Sequence, residues 1–176
     1  VEENTHLDYK GAGSLGKSDG KRVELSKDVS AFANSDGGTI IYGIKEFDES
    51  DKRHLPERID PIDGKEFSKE WLEQVINSTI SPRINKIKIT PIQIDKPALN
   101  RVVYVVQIPK GITAHQAKDK RYYRRFNFES QAMEDWEIKD IINRQTKTNI
   151  VISFEPRTSV ETIDKTTDNT YGGLGG

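Results

Sequence analysis

The segment Lys118-Asp-Lys-Arg-Tyr-Tyr-Arg-Arg125 sets five basic residues, Lys118, Lys120, Arg121, Arg124 and Arg125, against one acid. The chain as a whole nearly balances its charge, with a formal net value of -1. Read as a strand, it places Arg121, Tyr123 and Arg125 on one face and Tyr122, Arg124 and Phe126 on the other. Cations spaced in this way neutralise successive phosphates while an interleaved ring stacks on a base, which suits RNA or DNA. The same pattern also serves to guard an edge strand against aggregation. Lys21 and Arg22, after a glycine-rich loop, extend the basic surface.

That loop, Gly11-Ala-Gly-Ser-Leu-Gly-Lys-Ser18, spells the Gly-x-x-x-x-Gly-Lys-Ser pattern of nucleotide-binding loops and lies between an expected strand and an expected helix. A true phosphate loop would start its helix at Lys17, whereas Asp19 and Gly20 interrupt helix formation there, and no compact acidic site at the end of an apolar strand supplies a second Mg²⁺ ligand. The alternative is a flexible connector.

Composition narrows the remaining classes. A chain of 176 residues, 34% hydrophobic and 31% charged, supports one domain with a limited core. No run approaches the roughly 18 apolar residues of a membrane span, so a soluble, cytoplasmic protein is expected. The absence of cysteine excludes disulfides and thiolate metal sites, and His6, His54 and His115 are too scattered to suggest a zinc cluster. The chain starts on Val and ends on Gly-Gly-Leu-Gly-Gly, which suggests a trimmed piece with a further C-terminal region missing.

The elements follow from periodicity. Strands are expected at 5–10, 39–44, 86–94, 101–108 and 121–126, with a further one at 150–154. Helices are expected at 21–34, at 68–80 before Pro82, and at 133–145, the last with Met133, Trp136, Ile141 and Ile142 inward. Residues 46–65 read as a loop with one short strand near Ile59, and 155–176 as a polar, disordered tail. The outcome is an α+β fold, a mixed sheet with packed helices forming one domain over residues 1–148.

Together, Asp8-Tyr9-Lys10 ending the first strand, Ser30-Ala-Phe-Ala-Asn34 ending the helix, the Asp36-Gly-Gly38 turn and the Ile40-Ile-Tyr-Gly-Ile44 strand resemble the AlbA-like nucleic-acid-binding domain of the Schlafen family. The Arg121-Tyr-Tyr-Arg-Arg125 strand before a closing helix adds to the resemblance, which covers about residues 2–145. Physically, Ala31 and Ala33 permit close packing, Phe32 anchors the helix, Asn34 ties the turn through its amide, and Gly37 and Gly38 permit the reversal.

The resemblance implies a three-carboxylate centre, as in the ribonuclease members of the family. The matching positions are Glu3 and Asp8, five apart, and Glu46, two residues after Ile44; Asp8 stands where Glu is expected and Glu46 where Asp is commoner. Glu2, Asp48 and Glu49 are rival ligands. Such oxygens hold Mg²⁺ or Mn²⁺, and Lys10 would stabilise phosphate charge. The expectation is a nucleic-acid-binding domain and candidate metal-dependent endonuclease, RNA preferred, able to form homo-oligomers. A non-catalytic binding module of a larger protein and a nucleotide switch are the other classes.

Overall fold

The computed structural model describes residues 1–52, 54–95 and 99–143. Strand β1 (Leu7–Lys10) leads through a 3-10 turn at Ala12–Ser14 into helix α1 (Asp19–Asn34), which returns the chain to β2 (Gly38–Tyr42), parallel to β1. A parallel pair cannot be closed by a tight turn, so the helix is the crossover that the pairing requires. Ser18 caps α1 by accepting from the Lys21 amide at 3.4 Å, and Asp19 in the first turn complements the helix dipole. With those two aids the helix includes Gly20 and starts two residues before the expected Lys21.

The corner that ends α1 depends on its glycines. Gly37 has φ +75° and Gly38 φ +155°; a Cβ would lie 2.7 Å from the Ile108 carbonyl oxygen at the first and 2.5 Å from the Phe32 ring at the second. The single strand expected at 39–44 is instead broken at Gly43, whose φ is +103° and whose carbonyl accepts from the Asp60 amide at 2.8 Å. There the chain leaves the sheet to form an outlying hairpin, β3 (Ile44–Glu46) with β4 (Pro56–Ile59), and returns as β5 (Ile62–Asp63). After α2 (Lys69–Thr79), capped by Ser68, come β6 (Lys88–Gln93) and β7 (Arg101–Ile108). β6 runs antiparallel along one edge of β7, while β2 and β5 share the other edge end to end. The sheet is therefore mixed and the fold is α+β.

Leu25, Val29 and Phe32 of α1 meet Leu72, Val75 and Ile76 of α2 and Ile40, Tyr42, Tyr104 and Val106 of the sheet, each buried. The far side of α1 is covered as well. Ser26 and Ser30 there return their hydroxyls to the carbonyls of Val23 (2.8 Å) and Lys27 (3.1 Å), leaving a flat face on which Ala117 and Tyr123 pack against Ala31. Tyr123 belongs to β8 (Tyr123–Phe126), paired with β9 (Glu129–Ala132), a hairpin strand beyond the expected elements. The chain then forms α3 (Asp135–Asn143), where Ile141 is buried but Ile142 is 46% and Trp136 70% exposed, against the expected inward set. Trp136 and Ile141, five residues apart, lie about 140° apart around a helix, so burying Ile141 leaves Trp136 largely exposed. The strand expected at 150–154 and the tail after it lie outside the described residues. Among the described residues no helix is long and apolar enough to cross a membrane.

Candidate functional site

Alternation along β1 sends Asp8 and Lys10 to the side of the sheet that faces α1, where β2 places Ile40 and Tyr42 beside them. Glu3 joins them by a fold-back: the Asn4 and Leu7 backbones bond reciprocally at 3.1 and 3.2 Å, and Asn4 Oδ1 accepts from the His6 amide at 2.8 Å. This turn returns Glu3 to β1, where its Oε1 accepts from the Tyr9 amide at 2.6 Å. Glu46, at the end of β3, comes to the same place because Gly43 redirects the chain. The four expected residues, Glu3, Asp8, Lys10 and Glu46, are thus brought together: the Glu3 carboxyl lies in contact with those of Asp8 and Glu46, and Lys10 Nζ is 2.7 Å from Asp8 Oδ2.

Three further groups complete the cluster. Asp28 of α1 lies 4.0 Å from Lys10 Nζ and accepts from Ser130 Oγ at 3.0 Å. Arg125 of β8 points inward, stacks its guanidinium 4.6 Å from the Phe32 ring centroid and brings Nη1 to 3.8 Å from Asp8 Oδ2. His54 places Nδ1 3.3 Å from Glu3 Oε2. None of the three is expected from the sequence as part of an acid cluster. His54 stands 51 positions from Glu3 in a charged stretch without periodicity, so only the β3–β4 hairpin discloses it.

Burial, aided by contact with Asp8, pushes the Glu3 carboxyl up to about 9. Burial also raises Glu46 and Asp28, the latter against the pull of Lys10. For Lys10, burial acts downward but the attraction of Asp8 and Asp28 outweighs it, and the net shift is upward. Burial is the leading cause of the raised carboxyls, and repulsion between neighbouring carboxylates adds to it.

Divalent cations fit this donor set. Ligating atoms of Glu3, Glu46 and His54 lie within 4.8 Å of one another, and Glu46 Oε1 is enclosed with no hydrogen-bond donor. Asp8, 1% exposed, stands behind them with its Oδ2 held by Lys10.

The basic strand departs from expectation. Tyr123 and Arg125 are buried against α1, because that face of β8 is the one that meets the helix. Neither is available to a base or an external phosphate, which corrects their assignment to a binding surface. Arg124 remains half-buried, with Nε 2.7 Å from Glu137 and its guanidinium over Phe126. Lys120 and Arg121 are exposed, while Lys118 reaches Asp19 at 2.5 Å. Lys21 is exposed, and Arg22 is half-buried with Nε enclosed. In the glycine loop, the Ala12 amide donates to Asp60 Oδ2 at 2.7 Å, Ser18 caps α1, and Lys17 lies 3.7 Å from Glu66. A carboxylate thus holds an amide that a phosphate loop would offer to its ligand.

A mixed sheet with a helical crossover, a double-glycine corner and acids on its first strand defines an AlbA-like domain. Residues 3–134 match the family model described as Schlafen, AlbA_2, and the chain belongs to that family. Among solved structures, the DIP2311 protein from Corynebacterium diphtheriae is similar at a TM-score of 0.52 and 16% identity, over 77% of this chain and 26% of that one. This chain therefore spans about a quarter of that protein's length. The N-terminal domain of a protein from Nitrosomonas europaea described as ATP-dependent DNA helicase RecG-related is similar at a TM-score of 0.45 and 20% identity, over 62% of this chain and 66% of that one. No curated protein matches the chain significantly.

Proposed function

We propose that this domain binds nucleic acid and cleaves its phosphodiester backbone, that of RNA foremost, with a divalent cation held by the carboxylates at the end of β1. The observation that carries the reading is the convergence of Glu3 and Glu46 beside Asp8 and Lys10. A bound Mg²⁺ or Mn²⁺ would supply Lewis-acid polarisation of a phosphoryl oxygen and would make a bound water easier to ionise. Glu3 and Glu46 bind the cation; Glu3, which retains its proton up to about 9 in the free protein, gives it up on binding. Asp8 fixes Lys10, whose ammonium balances charge on the phosphate. Lys120, Arg121 and Lys21 on the exposed surface attract the backbone.

The test is incubation of the protein with structured RNA and with DNA in Mg²⁺, Mn²⁺ or EDTA, following cleavage and retardation together. Cleavage that depends on the cation and falls by several orders of magnitude in Glu46→Gln, with retardation kept, is the expected result. Retardation without cleavage under either cation leaves a non-catalytic binding module. That second reading has its own support, since Asp8 is already engaged by Lys10 and Arg125.

A further inference from the structure

His54 is held from two sides. Its carbonyl accepts from the Glu3 amide at 2.9 Å, which fixes the backbone against the acid it faces. Its ring stacks on Phe128 of the β8–β9 turn, centroids 3.9 Å apart and planes 18° off parallel. A histidine serving only as a surface partner for a carboxylate does not require its ring to be clamped by a second hairpin. Its side chain is also 35% exposed, so a cation reaches it from solvent.

The spacing suits shared ligation. Two donors each about 2.1 Å from one cation, at angles of about 90–110°, sit about 3.0–3.4 Å apart; Nδ1 of His54 and Oε2 of Glu3 are 3.3 Å apart. Glu46 offers the third donor within 4.8 Å, and its enclosed Oε1 lacks any donor of its own. A simple Glu3–His54 contact accounts for the first distance and leaves Glu46 Oε1 without a partner. Asp8 is the poorer ligand, because its Oδ2 is committed to Lys10 at 2.7 Å with Arg125 behind.

We propose that His54 is a metal ligand, and that the set Glu3, Glu46 and His54 takes a first-row transition cation such as Mn²⁺ in preference to Mg²⁺. Imidazole suits first-row transition ions from iron to zinc best, and Mn²⁺, although at home among oxygen donors, accepts a nitrogen ligand more readily than Mg²⁺, which demands oxygen donors and keeps its waters. The inference rests on the cation reading proposed above and replaces Asp8 by a nitrogen among the ligands. It assigns Phe128 a role as the positioning residue that fixes the imidazole plane.

The experiment uses the whole chain without nucleic acid and titrates Mn²⁺ and Mg²⁺ separately by calorimetry, in the wild type and in His54→Phe. That variant retains a ring to stack on Phe128 and has no nitrogen. Removing a group that merely orients a ligand weakens metal binding by about 10–100-fold, so removing a ligand should weaken Mn²⁺ binding by at least as much. Mg²⁺ affinity should be unchanged. Pulsed electron paramagnetic resonance of the Mn²⁺-loaded wild type should show nitrogen coupling from an imidazole, a measurement that stands even if the variant does not fold. Tight Mn²⁺ binding without nitrogen coupling overturns the inference and leaves the all-oxygen site standing. Absence of binding by either cation overturns both.

Discussion

Two buried polar centres adjoin the C-terminal half of α1, and they are built on opposite principles. At the first, Asn34 accepts from the His115 amide at 2.7 Å and donates to the carbonyls of His115 and Tyr123 at 2.9 and 2.8 Å. Its amide is fully used, it is neutral, and it ties the helix to the segment leading into β8. At the second, around Glu3 and Asp8, buried carboxyls crowd one another, and Glu46 Oε1, Tyr42 Oη and Arg125 Nε and Nη2 are enclosed without hydrogen-bond partners. Buried polar groups are normally satisfied, and the exceptions call for an explanation. A centre that completes itself stabilises a fold, whereas one left incomplete is open to a ligand.

The sharpest way to break this contrast is to remove one group from each. Asn34→Ala leaves one amide and two carbonyls buried without partners, at about 1–3 kcal/mol each. A loss of about 3 kcal/mol or more is expected, seen as a Tm lower by about 6–12 °C. Glu46→Gln removes a charge from a crowded cluster, so its Tm should stay level or rise while cation-dependent cleavage disappears. Equal destabilisation by the two substitutions would mean that both centres are structural.

The centres should also respond to pH in opposite directions. Glu3 keeps its proton up to about 9 in the folded chain, against an ordinary value of 4.5, so between those values the native state binds more protons than the unfolded one. The stability this confers is complete below about pH 4.5 and is lost as pH rises towards 9. His115, beside Asn34, is shifted down by burial; the unfolded chain takes up the proton first, and stability falls as pH drops below about 6.5. Below about pH 6.5 the two contributions oppose each other and nearly cancel, so urea midpoints measured without added metal should be nearly level from about pH 5 to about pH 6.5 and decline from there towards about pH 9. Glu3→Gln should remove the alkaline decline and uncover the acid-side loss due to His115, and an unaltered profile would show that Glu3 ionises normally.

Much of the frame is legible in the sequence, for identifiable reasons. The Ser-Ala-Phe-Ala-Asn helix end and the double glycine report steric demands at single positions, and Val-rich alternation marks β7. Glu3, Asp8 and Glu46 can be chosen only by family resemblance, because their convergence depends on the Asn4–Leu7 turn and the Gly43 break, neither of which has a period. β5 is two residues long and β9 is polar, so neither carries an apolar pattern to read. The basic strand misleads for a different reason. Alternation correctly separates its two faces, but whether Arg125 or Arg124 turns outward depends on where α1 lies, and the buried serines that prepare its far side look like surface residues.

The division of the basic residues between interior and surface yields the smallest predicted effect. If Arg125 belongs to the acid cluster and Lys120 and Arg121 to the surface, the three should separate in a salt titration of binding to single-stranded RNA. Deleting one cation that neutralises a phosphate reduces the slope of log affinity against log salt by about 0.7. Lys120→Ala and Arg121→Ala should each reduce it by about that amount, weaken binding alike for all sequences, and leave Tm unchanged, since neither buries a charge. Arg125→Ala should leave the slope where it was and lower Tm instead, because the interior would lose the guanidinium that lies over Phe32 and beside Asp8. A slope reduced by Arg125→Ala but not by the other two would reverse the assignment: β8 would then have to detach from α1 when nucleic acid binds, exposing the face that packs against it here.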